Sequence, residues 1–525
     1  MIALVLLACG ASEPLPPPPA ETGAPTDSAA RDSATDSATP DGAPFILGAT
    51  HACESPRPAI TYTESSAAWG LLPGPAPDDD HLDGGGIVVD DLDRDGDLDV
   101  VIAFWQSDLE VYTRVEGGFE RAVVDAEGAQ LTLADVDADG WRDLIVSGHK
   151  PRVYSNDGGA LTRGKSILSM EGGVLRQLAP GDFDGDGDLD LYAPATSPDD
   201  DDARRDLLLW NDGSGEFEVD RDALPAEQVG GQAFLGVVFD YEVDGDPDVY
   251  VDNDMGPQYG ANVLLRNRDG ALEDASSDCA CGLAHSGMGG DAGDYNGDGL
   301  PDLYLSGSGQ NVLLASQPGG EFVDVTLSAG ADPLGGFPYM AWGSAWLDYD
   351  NDGQLDVVVA QGDLWAADHE GDHFDAGINL MRQSEGTFED VGPASGLDAM
   401  GSFRGVSAAD HNGDGVLDLL IHDVVGQPLL YLSDGCTEAG WLAVDAPLGS
   451  RVEVTIDGAV QTAWIHPTSG FGAAGPLEAW FGLGQAQQVD RLQVTLPWAG
   501  GVHTLEGPLE GRRRVTLELP SEQAE

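Results

Sequence analysis

The residues best placed to do chemistry are carboxylates, and they recur in a nine-residue phrase whose fullest copy is Asp182-Phe-Asp-Gly-Asp-Gly-Asp-Leu-Asp190. Alternate acidic positions on a tightly coiled loop aim successive oxygens at one point, and roughly six to eight hard oxygen ligands are what Ca²⁺ takes. The phrase starts again at Asp91, Asp135, Asp240, Asp294, Asp348 and Asp410, seven copies in all. Position three is Asp93, Asp137, Asp184, Glu242, Asn296, Asp350 or Asn412, always an oxygen donor. Position five is Asp95, Asp139, Asp186, Asp244, Asp298, Asp352 or Asp414, and position nine is Asp99, Asp143, Asp190, Asp248, Asp302, Asp356 or Asp418. Position six is always Gly, as at Gly187, where a sharp turn excludes a Cβ. These residues predict about seven calcium sites, with positions one, three, five and nine as ligands.

An EF-hand would close its loop with a bidentate Glu at position twelve between two helices. Position twelve here is Ile102, Val146, Ala193, Val251, Leu305, Val359 or Ile421, and none of these can bind a metal. Short apolar runs such as Val100-Val-Ile-Ala103 follow each phrase and read as buried strands. A second hairpin comes next, as in Asn311-Val-Leu-Leu314 leading to Glu321-Phe-Val-Asp324. One unit is therefore four strands, and units roughly 50 residues apart mean a propeller or an array. The seventh unit stops after Leu429-Leu-Tyr-Leu432, and Ile60-Thr-Tyr-Thr-Glu64 is the candidate to complete it from the other end. The expected fold is all-β: a seven-bladed β-propeller with calcium loops over 51–436, then a small all-β domain over 437–520 and a tail over 521–525.

The loops resemble the FG-GAP/VCBS repeats of integrin α-like propellers. Gly287-Met-Gly-Gly-Asp-Ala-Gly-Asp-Tyr-Asn-Gly-Asp-Gly299 and Ala345-Trp-Leu-Asp-Tyr-Asp-Asn-Asp-Gly353 resemble the group that includes cartilage acidic protein. Trp480-Phe-Gly-Leu-Gly484, Val489-Asp-Arg-Leu-Gln-Val494 and Pro497-Trp498 are similar to the ASPIC/UnbV domain. The group departs at Gln361-Gly-Asp363, where it often carries Asn-Gly-His. The resemblance implies a calcium-stabilised surface module that binds a protein or a glycan.

A net charge of −70, with only Lys150 and Lys165 as lysines, repels phosphate backbones and excludes nucleic acid as a partner. Met1 to Ala8 is apolar and ends in Leu6-Leu7-Ala8-Cys9, which looks like a lipoprotein signal over 1–9 with Cys9 lipidated, although the usual basic residues are missing. Residues 10–50 read as a Pro/Ala/Ser/Thr/Asp spacer, with Pro16-Pro-Pro-Pro-Ala20 near its start, too poor in apolar residues to build a core. The expected location is outside the cell or on a bacterial outer membrane, reached only through the lipid anchor, as a monomer.

Asp368-His-Glu-Gly-Asp-His373 could hold a transition metal through His369 and His373, though such a run is more often a solvated acidic loop. No Ser, Cys or His sits in a nucleophile signature, so no catalytic residue is assigned. The competing function is an extracellular propeller enzyme, a polysaccharide lyase or hydrolase, with its site in the central funnel. Cys53 precedes the closing strand and Cys436 follows the strand it would join, so a disulfide between them would clasp the ring. Cys279 and Cys281 are then left to bridge each other or stay as thiols.

Overall fold

Each acidic phrase ends where a strand begins. Asp99 opens the strand Asp99–Phe104, and Val100 to Ala103 are buried throughout, as a continuous apolar run requires. In the computed structural model, residues 44–519 are described apart from 76–83, 106, 127, 129, 198–199, 201–202, 226–230, 334–339, 363–375, 425, 467–469 and 499. Cys9, the spacer up to residue 43, His369 and His373 and the tail 521–525 lie outside the described residues.

The strand before the Asp91 phrase, Gly85–Asp90, pairs with Asp99–Phe104, and Leu109–Val115 and Gly118–Val124 follow in order, all antiparallel. The phrases at Asp135, Asp182, Asp240, Asp294 and Asp348 each sit in a four-stranded sheet of the same order. The Asp410 sheet takes Phe403–Ala409, Asp418–Asp423 and Leu429–Ser433 from the end of the array, and its fourth strand is Tyr62–Glu64. The register there is Tyr62 opposite Ser433 and Glu64 opposite Tyr431, so the closing strand expected at Ile60–Glu64 is found, two residues shorter.

Consecutive sheets share a core. Val101 of the Asp91 sheet packs with Leu133 and Leu144 of the Asp135 sheet. At the far end, Leu420 and Leu430 of the Asp410 sheet pack with Ile87 and Val100 of the Asp91 sheet. The array closes on itself in a propeller-like, all-β arrangement, and the closing strand covers an edge that would otherwise invite pairing with other chains.

The C-terminal residues form two further sheets around their own core of Leu442, Val452, Phe481, Val494 and Val515. One sheet joins Gly440–Asp445, Glu478–Gly484 and Arg513–Leu517, and its edge is Phe45–Leu47. Residues 44–50 therefore do not belong to the spacer as assigned from composition. Phe45 lies opposite Leu517 and is buried in this core. Three apolar residues are too short a run to read as a strand alone, and only the distant partner makes them one. Cys53 and Cys436 are disulfide-bonded with Cα atoms 5.8 Å apart, and Cys279 is bonded to Cys281.

The segment Gly470–Ala474 leaves the C-terminal domain and enters the middle of the ring. Phe471 packs against Phe234, Met288 and Trp342. The Gly472 N–H donates to Gln177 Oε1 at 3.0 Å, and its carbonyl accepts the Ile87 N–H at 2.8 Å. The Gly470 N–H donates to the Gly290 carbonyl at 3.2 Å, and a Cβ on Gly405 would sit 3.0 Å from the Phe471 carbonyl. Ala473–Ala474 runs parallel to Ile87–Val88 as an added strand. The plug thereby meets the innermost strands from several sides.

Candidate metal centres

The acidic phrases share one fold, set mainly by hydrogen bonds from backbone to carboxylate. In all seven, the position-six glycine N–H donates to the position-one carboxylate, from 2.8 Å at Gly96–Asp91 to 3.2 Å at Gly187–Asp182. Position nine accepts two backbone N–H groups: one from position two, and one from the third strand of its sheet. At Asp99 these are Leu92 at 3.1 Å and Arg114 at 2.7 Å, and at Asp418 they are His411 at 2.9 Å and Ser433 at 2.6 Å. Position five forms a turn of its own, with Oδ1 accepting the N–H two residues on, as Asp95 does from Asp97 at 2.8 Å and Asp414 from Val416 at 2.9 Å.

Position four carries a signal that sequence reasoning missed. It lies in the left-handed region in every loop, with φ of 56° at Arg94, 59° at Val243 and 58° at Asn351. A β-branched residue such as Val243 adopts that conformation only when its surroundings impose it. Side chains at four of the third strands were missed as well. Asn156, Asn211, Asn267 and Gln383 each donate a side-chain amide to the position-two carbonyl of the preceding loop, at Leu92, Val136, Phe183 and Tyr295, with distances of 2.7–3.1 Å. Asn before the Gly turn of the second hairpin, as in Asn156-Asp-Gly158, was the available clue. These links join neighbouring loops around the array.

Carboxylate oxygens of positions one, three and nine come within 4.8 Å of one another in four loops: Asp91, Asp93 and Asp99; Asp135, Asp137 and Asp143; Asp182, Asp184 and Asp190; Asp348, Asp350 and Asp356. Position five lies outside these groups; its Oδ1 is turned to the backbone, and its second oxygen remains to contribute. The three other loops lack Asp at position three. Glu242 faces Arg266 at 3.5 Å, while Asn296 Oδ1 and Asn412 Oδ1 each accept a position-five N–H at 2.9 Å. In the Asp410 loop the second oxygen of Asp414 also accepts the Ser433 hydroxyl at 2.6 Å. Arg382 reaches Asp350 at 3.1 Å and Asp352 at 3.4 Å.

The fit to a cation is clearest at the Asp91 and Asp135 loops, where one oxygen each of Asp91, Asp135 and Asp137 is buried without a hydrogen-bond partner. A buried carboxylate oxygen facing other carboxylates is costly unless a positive charge meets it. Burial pushes Asp135, Asp182, Asp240 and Asp294 up to about 6, against the pull of the glycine N–H. It pushes Asp99, Asp143 and Asp190 up to about 7, and Asp302 up to about 8.

These shifts fix the sign of a pH effect. Free carboxylates titrate near about pH 4, so between there and about pH 7 the native metal-free protein holds more protons than the unfolded chain. Its stability therefore falls as pH rises through that window. The metal-free protein should melt higher at about pH 5 than at about pH 8. Bound calcium competes with those protons and should reverse the order. Melting curves at the two pH values, with chelator and with calcium, check both signs, and a chelated protein that melts lower at the acid pH would contradict the proton load.

An all-β, propeller-like array of repeated acidic loops, four of which bring three carboxylates together, defines the class. Two stretches, 135–193 and 294–359, match the FG-GAP-like repeat family, and 445–524 matches the ASPIC and UnbV family. Human cartilage acidic protein 1 is 23% identical over 501 residues, which cover 83% of this chain and 71% of that protein. The mouse protein is 22% identical over 401 residues, covering 66% of this chain and a little over half, 58%, of its own length. The chain therefore carries FG-GAP-like repeats followed by an ASPIC and UnbV domain. A solved Agrocybe aegerita lectin that recognises non-reducing terminal N-acetylglucosamine is 16% identical at a TM-score of 0.38, covering 61% of this chain and 81% of that one, a likeness too slight to carry an inference.

Proposed function

We propose that this chain is a calcium-binding, seven-bladed β-propeller, spanning 51–436 with a β domain over 437–520, that is exported and binds a protein or glycan partner at the cell surface. The observation that carries the calcium reading is the convergence of three carboxylates in four loops, with buried oxygens at Asp91, Asp135 and Asp137 left unpartnered. Hard oxygen donors on a flexible loop suit Ca²⁺. About seven ions is the full complement; Asn296 and Asn412, which contribute less charge, mark the weakest sites. The disulfides Cys53–Cys436 and Cys279–Cys281 fit an oxidising compartment, and lipidation of Cys9 would hold the body at a membrane. No helix among the described residues is long and apolar enough to cross a membrane.

Binding is favoured over funnel catalysis because Gly470–Ala474 occupies the ring's axis, where a propeller enzyme would admit substrate. The test is capture. The immobilised full chain, incubated with surface extract, should retain a partner in calcium and release it in chelator. Protease or periodate treatment of the extract then tells protein from glycan. Equal retention with and without calcium, or none in either, would overturn this reading.

A further inference from the structure

The C-terminal domain rests on four of the acidic loops and grips them mainly by their backbones. Trp498 Nε1–H donates to the Asp182 carbonyl at 2.7 Å, and its ring backs onto Gly185, where a Cβ would sit 3.0 Å away. The Trp498 N–H donates to the Gly245 carbonyl of the Asp240 loop at 3.0 Å. In the Asp348 loop, Asn351 accepts the Gly484 N–H on its carbonyl at 2.9 Å and Trp480 Nε1–H on its side chain at 2.8 Å. Asn351 Nδ2 in turn donates to the Gly415 carbonyl of the Asp410 loop at 2.8 Å, and Trp441, stacked on Trp480 at 4.7 Å, covers Gly415.

Four of the residues held or covered have left-handed backbone: φ is 77° at Gly185, 100° at Gly245, 58° at Asn351 and 85° at Gly415. In the Asp182 and Asp348 loops those conformations wrap the backbone around the point where three carboxylates meet. A loop that springs open under its own charge repulsion moves the carbonyls these tryptophans and glycines hold. The same domain carries the plug, with Gly470 and Gly472 hydrogen-bonded inside the ring. Its separate core lets it move as a unit, while the Cys53–Cys436 bond and the Phe45–Leu47 strand keep it tethered.

We infer that ion occupancy of the Asp182 and Asp348 loops latches the C-terminal domain onto the ring, so that calcium release withdraws the Gly470–Ala474 plug from the middle of the ring. This rests on the calcium reading above. Linkage makes it reciprocal: undocking the domain weakens ion binding at these loops. The Asp135 loop is the internal control, since no hydrogen bond between described residues joins it to the C-terminal domain.

Hydrogen exchange on the full chain, below its melting temperature, tests the latch alongside a calcium titration. In chelator, the Gly470 and Gly472 amides should exchange at least about tenfold faster, while Asp143–Val146 stays protected. At limiting calcium, Asp184→Asn should reproduce that loosening, whereas Asp137→Asn should lose an ion and leave the plug protected. If titration shows calcium bound but plug exchange is the same with and without it, the latch is wrong and the calcium reading stands. Equal loosening by both variants would also overturn the latch, as general destabilisation. No bound calcium at all would sink the calcium reading and the latch together.

Discussion

Stripping calcium with excess chelator should lower the melting temperature by about 10 °C. A site present only in the native state contributes about 2.7 kcal/mol when free ion exceeds Kd a hundredfold. Four such sites act on a chain whose unfolding entropy, at about 2.1 cal/mol/K per residue, makes each kcal/mol worth about one degree. The four are the Asp91, Asp135, Asp182 and Asp348 loops, where three carboxylates meet. The metal-free penalty is steepest where buried oxygens have no other partner, at Asp91, Asp135 and Asp137. The Asp410 loop should add little, since the Ser433 hydroxyl and Asn412 already occupy much of its donor set. Calorimetry in calcium, in chelator and after re-addition measures the shift. Unchanged melting in chelator, with the metal shown to be gone, would mean the loops are held by their hydrogen bonds alone.

Those loops were legible because their information is local. Nine residues carry the alternation, the glycine and the strand that follows, and repetition separates the pattern from chance. The closing strand was legible for a related reason: Ile60 to Glu64 resembles outer strands elsewhere in the chain, such as Phe322–Asp324. What escaped was information that exists only between distant segments. Gly470-Phe-Gly-Ala-Ala474 reads as a loop, since neither period two nor 3.6 runs through it, and its strand character comes entirely from Ile87. Phe45–Leu47 is three apolar residues beside a proline-rich stretch, and Leu517 makes it a strand. The left-handed backbone at Arg94, Ala138 and Val243 was hidden because these side chains disfavour it, and the loop around them imposes it. Spacing shows that Asp95 can face an ion, but not that its Oδ1 accepts the N–H of Asp97, which leaves the other oxygen for that role.

Breaking the Cys53–Cys436 bond should have the largest single effect of any covalent change. It closes a loop across 383 residues of sequence, and chain entropy assigns such a cross-link about 6 kcal/mol, with less delivered if the denatured chain stays compact. Its position adds to that. The Arg57 N–H donates to the Cys436 carbonyl at 2.8 Å, and Thr61 and Thr63 hydroxyls both donate to Asp434, so the bond sits at the end of the strand pair that closes the array. Cys53→Ser, Cys436→Ser and the double variant should lose the same stability, because either single change breaks the one bond. In denaturant titrations the three should share a midpoint well below that of the parent. Deleting residues 1–64 goes further, because it also removes Tyr62–Glu64 and bares the edge of Leu429–Ser433, and that protein should aggregate. Deleting only 10–43 should leave melting unchanged. If the cysteine variants melted with the parent while the long deletion aggregated, closure would belong to the strand and the bond would be incidental. If the long deletion stayed soluble and stable, the array would have to close without its N-terminal strand.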